Sequence, residues 1–351
     1  MNGMKISDSR INTMGRIDWR DGVAHFIWPG SYVEVRFTGT TLSASVKVNC
    51  VWGSNALGLV VDGRVSKVPV KPENNGQEMT FLLADNLPAG EEHTCLLYKR
   101  LDCSYDYRVS GFETDGEFLQ AAPLPERKLE FYGDSVTSGA AIECVDYVAH
   151  TDPCSNDSCY DNSWYSYAWQ TARRLNAQVH LVSQGGIAVF NNTGYFHGPE
   201  TIGMEDTWNR LCYFPEAGKF SKWDFARYVP DAVVFAIGQN DQHDAVTGEN
   251  ILTLHDPAYR AKWMAGYEKL VRNVAAQYPI TTKIVCMTTV LMHDLAWDEA
   301  IGEVVAGLQA EGMAISQFLF TRNGAATPGH PRIPEHDEMA EELSAYLEKL
   351  L

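Results

Sequence analysis

The spacing of apolar residues changes near residue 121, and this change constrains the fold more than any other feature of the sequence. Before it, short runs alternate polar and apolar side chains, which is the period of a half-buried antiparallel strand. Turn residues such as Asp62 and Gly63 separate these runs. We expect strands at residues 23–28, 32–37, 42–48, 57–61, 79–83, 94–99 and 108–112. Short strands at this spacing predict an all-β sandwich.

After the proline-bearing stretch 121–126, strand-like runs alternate with long amphipathic helices. Strands are expected at 129–132, 179–183, 232–237, 284–288 and 315–320, and helices at 163–175, 257–277, 299–311 and 334–350. This alternation predicts a parallel sheet with helices on both faces. The chain is therefore expected to join a β-sandwich, residues 1–122, to an α/β domain, residues 127–351.

The surface charge limits the possible partners. The chain has 351 residues, which is long enough for two domains. Its 28 basic and 45 acidic residues give a net charge of −17. Such a surface repels phosphate backbones and anionic lipids, so neither nucleic acid nor a membrane is expected as a partner. A neutral substrate such as a sugar chain is compatible with it, and the oligomeric state stays open.

The N-terminus and the cysteines bear on the location of the protein. Residues 1–20 are polar and lack the apolar core of a secretory signal, so we expect a cytoplasmic protein. A secreted protein whose signal peptide has been removed is the alternative. Cys144, Cys154 and Cys159 crowd the polar segment 143–162, but zinc sites use closer cysteine pairs, so no metal is expected. Unpaired thiols and a disulfide in an exported form both remain open.

The turn Gly133-Asp134-Ser135 directly follows the first strand of the second half. A serine at this position exposes its hydroxyl at the C-terminal edge of the sheet, where sites in α/β proteins form. Three further polar loops follow strands or precede the last helix, at residues 184–186, 238–241 and 327–331. Because parallel strands bring their C-terminal ends to one edge, we expect the four loops to converge.

These loops carry the groups needed for acyl transfer. A serine nucleophile needs a base within hydrogen-bond reach, which makes Ser135 and His330 the expected catalytic pair. The tetrahedral intermediate carries an oxyanion that needs fixed hydrogen-bond donors. The expected donors are the Ser135 backbone N–H, the side-chain amide of Asn240, and a glycine N–H, with Gly186 preferred over Gly185.

The order of these motifs resembles the SGNH hydrolases, and the whole chain resembles a narrower group, carbohydrate esterase family two. The likeness continues in the first half through Gly15-Arg16, Trp28-Pro29-Gly30-Ser31, Phe37-Thr38-Gly39-Thr40, Lys99-Arg100 and Gly111-Phe112-Glu113. It also includes His330-Pro331 followed by His336 and Met339-Ala340.

The resemblance implies a jelly-roll sandwich joined to an α/β/α SGNH hydrolase domain. It implies an esterase that removes O-acetyl groups from plant hemicellulose through a serine acyl-enzyme, with water as acyl acceptor and without cofactor or metal. Xylan is the substrate that the resemblance favours, and acetylated mannan fragments are equally compatible. The hydroxyl position that carries the acetyl group is left open.

The sequence departs from the SGNH pattern beside the histidine. Many of these enzymes place an aspartate two or three residues before it, whereas Pro328 and Thr327 occupy those positions here. His330 must therefore be oriented by a backbone carbonyl, a water, or a distant acid such as Asp294. Some members of the resembling family work with a Ser–His dyad, so a dyad is also plausible.

Other residues around the expected site have weaker signals. Trp297 lies on the active edge, where its ring would stack on a sugar or simply pack in the core. His336 is expected to be a structural hydrogen bonder, and Asp134 and Asp241 are expected to brace their own turns. Segment 143–162 follows the nucleophile and is expected to wall the cleft.

Two other functions compete with the carbohydrate esterase. The first is an SGNH esterase or thioesterase acting on short-chain esters without sugar, although no long apolar lid is visible in the sequence. The second is a carbohydrate-binding protein whose hydrolase half is inert. The intact nucleophile, base and amide donor argue against this second reading.

Overall fold

The computed structural model describes residues 1–50, 53–102, 105–154, 158–196, 201–213 and 220–351. Its first part consists of antiparallel strands. These are β1 (Asn2–Lys5), β2 (Asn12–Met14), β3 (Asp18–Arg20), β4 (Val23–Phe26), β5 (Tyr32–Thr38), β6 (Leu42–Cys50), β7 (Asn55–Val61), β8 (Arg64–Val70), β9 (Glu78–Ala84), β10 (Glu92–Lys99), β11 (Tyr105–Thr114) and β12 (Phe118–Leu119). One sheet has the order β3-β4-β11-β6-β9, with β1 also on β11, and the other has the order β12-β5-β10-β7-β8, with β2 also on β5.

The alternation in the sequence explains how the two sheets pack. In β5, Val33, Val35 and Phe37 are fully buried, whereas Glu34 and Arg36 between them stay partly exposed. The inward-facing residues of both sheets form one hydrophobic core. This arrangement confirms the predicted sandwich, because each strand buries alternate side chains between the sheets.

The second part of the chain alternates strands and helices. Its strands are β13 (Arg127–Gly133), β14 (Ala177–Ser183), β15 (Arg210–Cys212), β16 (Ser221–Lys222), β17 (Ala232–Ala236), β18 (Lys283–Met287) and β19 (Ile315–Gln317). Its helices are α1 (Ser135–Ser138), α2 (Tyr167–Arg174), α3 (Met204–Thr207), α4 (Pro257–Ala275), α5 (Ala296–Ala310) and α6 (Ile333–Leu350). The strands β14-β13-β17-β18-β19 form, in this order, a parallel sheet.

The parallel sheet is covered on both faces, and its strand order determines where a site can form. Neighbouring residues of β13 point into different cores, with Phe131 in one and Tyr132 in the other. The chain leaves β13 toward β14 on one side and later returns to β17 on the other side. Ligands bind beyond the C-terminal ends of the strands at such a reversal. Ser135 follows β13 directly and therefore lies at this point.

The predicted α/β half is confirmed, with shifts at the ends of its elements. Helix α6 begins one residue before its predicted start, and α4 begins at Pro257 as predicted, with the Asp256 carboxylate accepting from the Ala258 N–H. Helix α2 begins only at Tyr167, because Ser166 caps it after a 3-10 turn.

No helix in the described residues is long and apolar enough to cross a membrane. The division at residues 122 and 127 falls between β12 and β13 and stays a prediction.

Arg16 joins the sandwich to the parallel sheet. This buried side chain reaches β13, where its Nη2 lies 2.9 Å from Glu130 Oε1 and 2.6 Å from the Tyr132 hydroxyl. Tyr278 donates to the other carboxylate oxygen of Glu130 at 2.6 Å. Trp28 of the sandwich also packs in the core of the α/β half. Side chains of the sandwich are therefore buried in the α/β half and form part of its core.

Candidate active site

A tight turn after β13 positions Ser135. A Cβ atom added to Gly133 would lie 2.1 Å from Thr137 Oγ1, so only glycine fits there. Asp134 caps helix α1, since one of its carboxylate oxygens accepts from the Val136 N–H at 3.0 Å. The other oxygen accepts from Gln239 Nε2 at 2.9 Å and ties the turn to the loop after β17. Asp134 braces the turn in the way the sequence predicted.

His330 lies within hydrogen-bond distance of the serine. Its Nε2 is 2.9 Å from Ser135 Oγ, and its Nδ1 is 2.5 Å from Asp152 Oδ2. The backbone N–H of His330 also donates to Asp152 Oδ1 at 3.0 Å, and Arg332 Nη2 donates to the same oxygen at 2.7 Å. The acid fixes both the position of the imidazole and the tautomer that leaves Nε2 free to accept the serine proton.

The two charged partners change each other's protonation. Burial lowers the pKa of His330, but the hydrogen bond and the negative charge of Asp152 outweigh burial and raise it above its usual value. Burial raises the pKa of Asp152, and the opposing contributions of His330 and Arg332 hold it well below the usual range. Asp152 is therefore a carboxylate, as an orienting group must be to stabilise an imidazolium.

Besides Ser135, the expected oxyanion-hole donors lie in the loops after β14 and β17. A Cβ atom added to Gly185 would lie 3.9 Å from Ser135 Cβ, so this glycine lies against the nucleophile. Gly186, the preferred donor, has φ +75°, and its carbonyl accepts from Tyr195 and Phe196. The structure thus places Gly185 next to Ser135, while the identity of the donating glycine stays a prediction.

Asn240 is held beside the same loop. Its Nδ2 donates to the Ile187 carbonyl at 3.0 Å, and a side-chain amide has a second N–H that can serve an oxyanion. The buried Asp241 accepts from the Val189 N–H at 3.0 Å and from Trp263 Nε1 at 2.9 Å. Burial raises the pKa of Asp241 to about 7. Asp241 thus joins its own loop to helix α4 and to residues 184–189 after β14, which we call the glycine loop, and this is more than bracing one turn.

The chain is similar to known carbohydrate esterases. Residues 13–123 match the family model described as "Carbohydrate esterase 2 N-terminal". The chain is 31% identical over 350 residues, 96% of its length, to "Cellulase/esterase CelE" of Acetivibrio thermocellus, of which it spans 39%. It is 26% identical over 98% of its length to an "Acetylxylan esterase / glucomannan deacetylase" of Cellvibrio japonicus, covering 90% of that protein. The chain is thus similar to carbohydrate esterase family two over nearly its whole length and carries the N-terminal domain of that family.

Solved structures of family two proteins agree along the whole chain. The family two carbohydrate esterase from Cellvibrio japonicus has a TM-score of 0.79 at 26% identity and covers 99% of this chain and 97% of its own. The one from Clostridium thermocellum, solved in complex with cellohexaose, has a TM-score of 0.76 at 29% identity, with 97% and 98% covered. These likenesses confirm the sandwich and SGNH-type hydrolase fold predicted from the sequence.

Of the alternatives for orienting His330, the structure shows a distant acid, but Asp294 was the wrong example. Asp294 pairs with the exposed His255 at 2.7 Å, while Asp152 fills the role. Asp152 lies within segment 143–162, which was expected only to wall the cleft. Its single signal in the sequence is that it is an acid near the nucleophile in the chain. Nothing in the spacing indicates that it meets a histidine 178 residues later.

Trp297 is not a sugar-stacking platform. Only 3% of its surface is exposed, because it lies on the face of α5 that packs against α4, with its ring centroid 5.0 Å from that of Trp263. The exposed aromatic beside the glycine loop is Tyr195, which keeps 43% of its surface and stacks on His243 with 4.0 Å between ring centroids. Tyr195 belongs to no motif that the sequence shows.

The predicted role of His336 is confirmed by its contacts. His336 is buried at the start of α6, where its Nδ1 accepts from the Tyr167 N–H at 3.0 Å, so it is a structural hydrogen bonder as expected. Burial, with the nearby charge of His330, lowers the pKa of His336 to about 3. In the described residues, no group of three or more His, Cys, Asp or Glu side chains is arranged to hold a metal ion.

Proposed function

We propose that this protein is a carbohydrate O-acetyl esterase that removes acetyl groups from acetylated xylan or mannan oligosaccharides. The observation that carries the proposal is the chain of hydrogen bonds from Ser135 through His330 to Asp152, next to the glycine loop and Asn240. A nucleophile, a base and an oriented acid beside oxyanion donors form the constellation of acyl transfer.

The reaction follows from this geometry. Ser135 Oγ attacks the acetyl carbonyl carbon while its proton passes to His330 Nε2, and the N–H donors stabilise the resulting oxyanion. His330 then gives the proton to the departing sugar oxygen, which leaves an acetyl ester on Ser135. A water attacks this ester with His330 again as base, and acetate and the free serine are formed. Asp152 stays ionised and stabilises the imidazolium in both halves of the reaction.

Three observations support a sugar ester as substrate. The relatives named above include an acetylxylan esterase and glucomannan deacetylase, and the Clostridium thermocellum structure holds cellohexaose. The ionised Asp152 contacts His330, so the site suits an uncharged ligand rather than an anion. The Tyr195 ring stands exposed beside the glycine loop and offers an aromatic face of the kind that sugars contact.

The test is acetate release from acetylated xylo- and manno-oligosaccharides. We expect Ser135→Ala to abolish it, and Ser66→Ala, which changes an exposed serine of β8, to leave it unchanged. Proton NMR during the digestion shows which acetyl signals disappear and so identifies the hydroxyl position. Full activity of Ser135→Ala would remove the proposal, and oligosaccharide binding without acetate release would favour an inert hydrolase half.

A further inference from the structure

The sandwich places one of its own carboxylates at Gly185, one of the two glycines expected as oxyanion donors. Asp102 follows β10, yet its Oδ2 accepts from the Gly185 N–H at 3.0 Å and from Gln184 Nε2 at 2.9 Å. A Cβ atom added to Gly185 would lie 2.6 Å from this oxygen and 3.9 Å from Ser135 Cβ. One glycine therefore separates the carboxylate from the nucleophile.

Buried groups hold this arrangement on both sides. Lys99 is fully buried, and its Nζ donates to the backbone carbonyls of Leu101 and Asp102. On the other side, Gln184 is fixed because its Oε1 accepts from the buried Tyr213 hydroxyl at 2.7 Å. The Asp102 side chain itself is only half-buried. Its backbone is thus anchored, while its carboxylate lies against Gly185 and Gln184.

The Gly185 N–H cannot serve this carboxylate and a reaction oxyanion at the same time. Both are anions, and each approaches an N–H along the same direction at about 3 Å. A carboxylate and an oxyanion that share one donor also repel each other in this partly buried site. The carboxylate must therefore turn away from Gly185, or be satisfied by another donor, before the glycine can stabilise the intermediate.

We propose that Asp102 is a specificity residue that couples the oxyanion hole to the sugar, which rests on the esterase function proposed above. A hydroxyl next to the acetylated position donates to the Asp102 carboxylate, draws it from Gly185 and releases that N–H for the acetyl oxygen. A carboxylate only accepts hydrogen bonds, so neighbouring sugar hydroxyls suit it well. An acetyl ester of a phenol has no such hydroxyl and leaves Gly185 occupied.

The experiment compares kcat/KM for acetylated xylo-oligosaccharides and for 4-nitrophenyl acetate in native protein, Asp102→Asn and Asp102→Ala. A hydrogen bond to a charged group contributes enough that its loss should lower kcat/KM on the sugar ester by about 10–100-fold. The value for 4-nitrophenyl acetate should stay the same or rise, because the Gly185 N–H is no longer held by an anion. Asp146→Asn removes an exposed carboxylate of segment 143–162 and should leave the ratio of the two values unchanged.

Each outcome decides one question. An unchanged ratio of the two kcat/KM values would overturn the specificity role. Equal losses on both esters would in addition mean that Asp102 has a structural role. If Asp102→Ala does not fold, Asp102→Asn keeps the shape of the side chain and still gives the ratio. A native protein that cleaves neither ester would instead refute the proposed function. Native activity on the sugar ester with no shift of the ratio in the variants refutes only the role of Asp102.

Discussion

At the scale of single residues, the protonation of His330 depends on Asp152. The base must be neutral to accept the Ser135 proton, and Asp152 raises the pKa of the imidazole above its usual value. Activity should therefore rise with pH as His330 loses its proton, and the midpoint of this acid limb should lie above the ordinary histidine range. Arg332 donates to the same carboxylate and holds it in place.

We expect Asp152→Asn to lower kcat by roughly 100–10,000-fold and to move the acid limb of the pH profile to lower pH. The amide lacks the charge that raises the His330 pKa, and its N–H₂ group facing Nδ1 favours the wrong tautomer. Profiles of kcat against pH on an acetylated oligosaccharide measure both effects. Asp146→Asn is the matched control, and an Asp152→Asn profile with native position and height would show that His330 needs no acid.

We expect Asn240→Ala to lower kcat by roughly 100–1000-fold, with a smaller change in KM, because the lost donor acts mainly on the transition state. Steady-state kinetics on the same oligosaccharide give the two values. Asn250→Ala provides a comparison, since this asparagine contacts Tyr195 and His243 rather than the glycine loop. Equal losses in both variants would assign Asn240 a structural role.

Ser135, His330 and Asn240 could be predicted from the sequence because each lies in a local pattern at the end of a strand or before a helix. Such patterns depend on neighbours in the chain. Asp152 and Asp102 lie in loops without a pattern, and only the tertiary structure brings them to the site. Trp297 failed for the opposite reason, because a position near the active edge does not tell which face of a helix is buried.

At the scale of elements, one histidine links the last helix to α2. His336 in α6 accepts from the Tyr167 N–H at the start of α2, and the two rings stack with 5.9 Å between centroids. His336 is buried without charge, and burial lowers its pKa to about 3 from the ordinary 6.5. Between these values the unfolded chain binds a proton that the folded protein does not. Stability should therefore fall as the pH drops below 6.5.

We expect His336→Asn to reduce the loss of stability between about pH 7 and pH 5 by on the order of 1–2 kcal/mol. The asparagine carbonyl keeps an acceptor for the Tyr167 N–H but does not titrate. Urea unfolding at the two pH values measures the difference. His255→Asn, which changes an exposed histidine, should behave like the native protein, and an equal pH dependence of all three would contradict this assignment.

The elements themselves could largely be predicted. The long helices and the central strands follow from hydrophobic periodicity, because their burial repeats with the period of the element. Strand β8 was missed because most of its residues are exposed and Pro69 interrupts the strand pattern, as is common at a sheet edge. The short helix α1 was missed because four residues carry no period.

At the scale of the whole molecule, hydrogen bonds from the sandwich hold segment 143–162, which carries Asp152, in place. Arg100 Nη2 donates to Glu143 Oε2 at 2.8 Å and to the Asp161 carbonyl at 2.9 Å, near the two ends of segment 143–162. The Tyr105 hydroxyl lies 2.5 Å from Ser158 Oγ in the same segment. These contacts come from strands or loops of the first half. The position of the orienting acid therefore depends on both halves of the chain.

We expect Arg100→Met to lower kcat by about 10–100-fold although Arg100 is not a catalytic residue, because a displaced acid no longer aligns His330. The acid limb of the pH profile should move to lower pH, as in Asp152→Asn. Arg36→Met, which breaks an exposed ion pair with Glu92 elsewhere on the sandwich, should have native kinetics. A folded Arg100→Met protein with native kcat and pH profile would contradict the coupling.

The hydrogen bonds between segment 143–162 and the sandwich have a consequence for protein engineering. Domain shuffling treats an accessory module as a part that can be exchanged at a linker. Here a chimera that joins the hydrolase half to a foreign β-sandwich would keep Ser135 and His330, yet it would lose Asp102 and the anchors of Asp152. Exchange at residues 120–126 should therefore yield folded but weakly active hybrids, and a hybrid that also keeps Arg100, Asp102 and Tyr105 should recover activity.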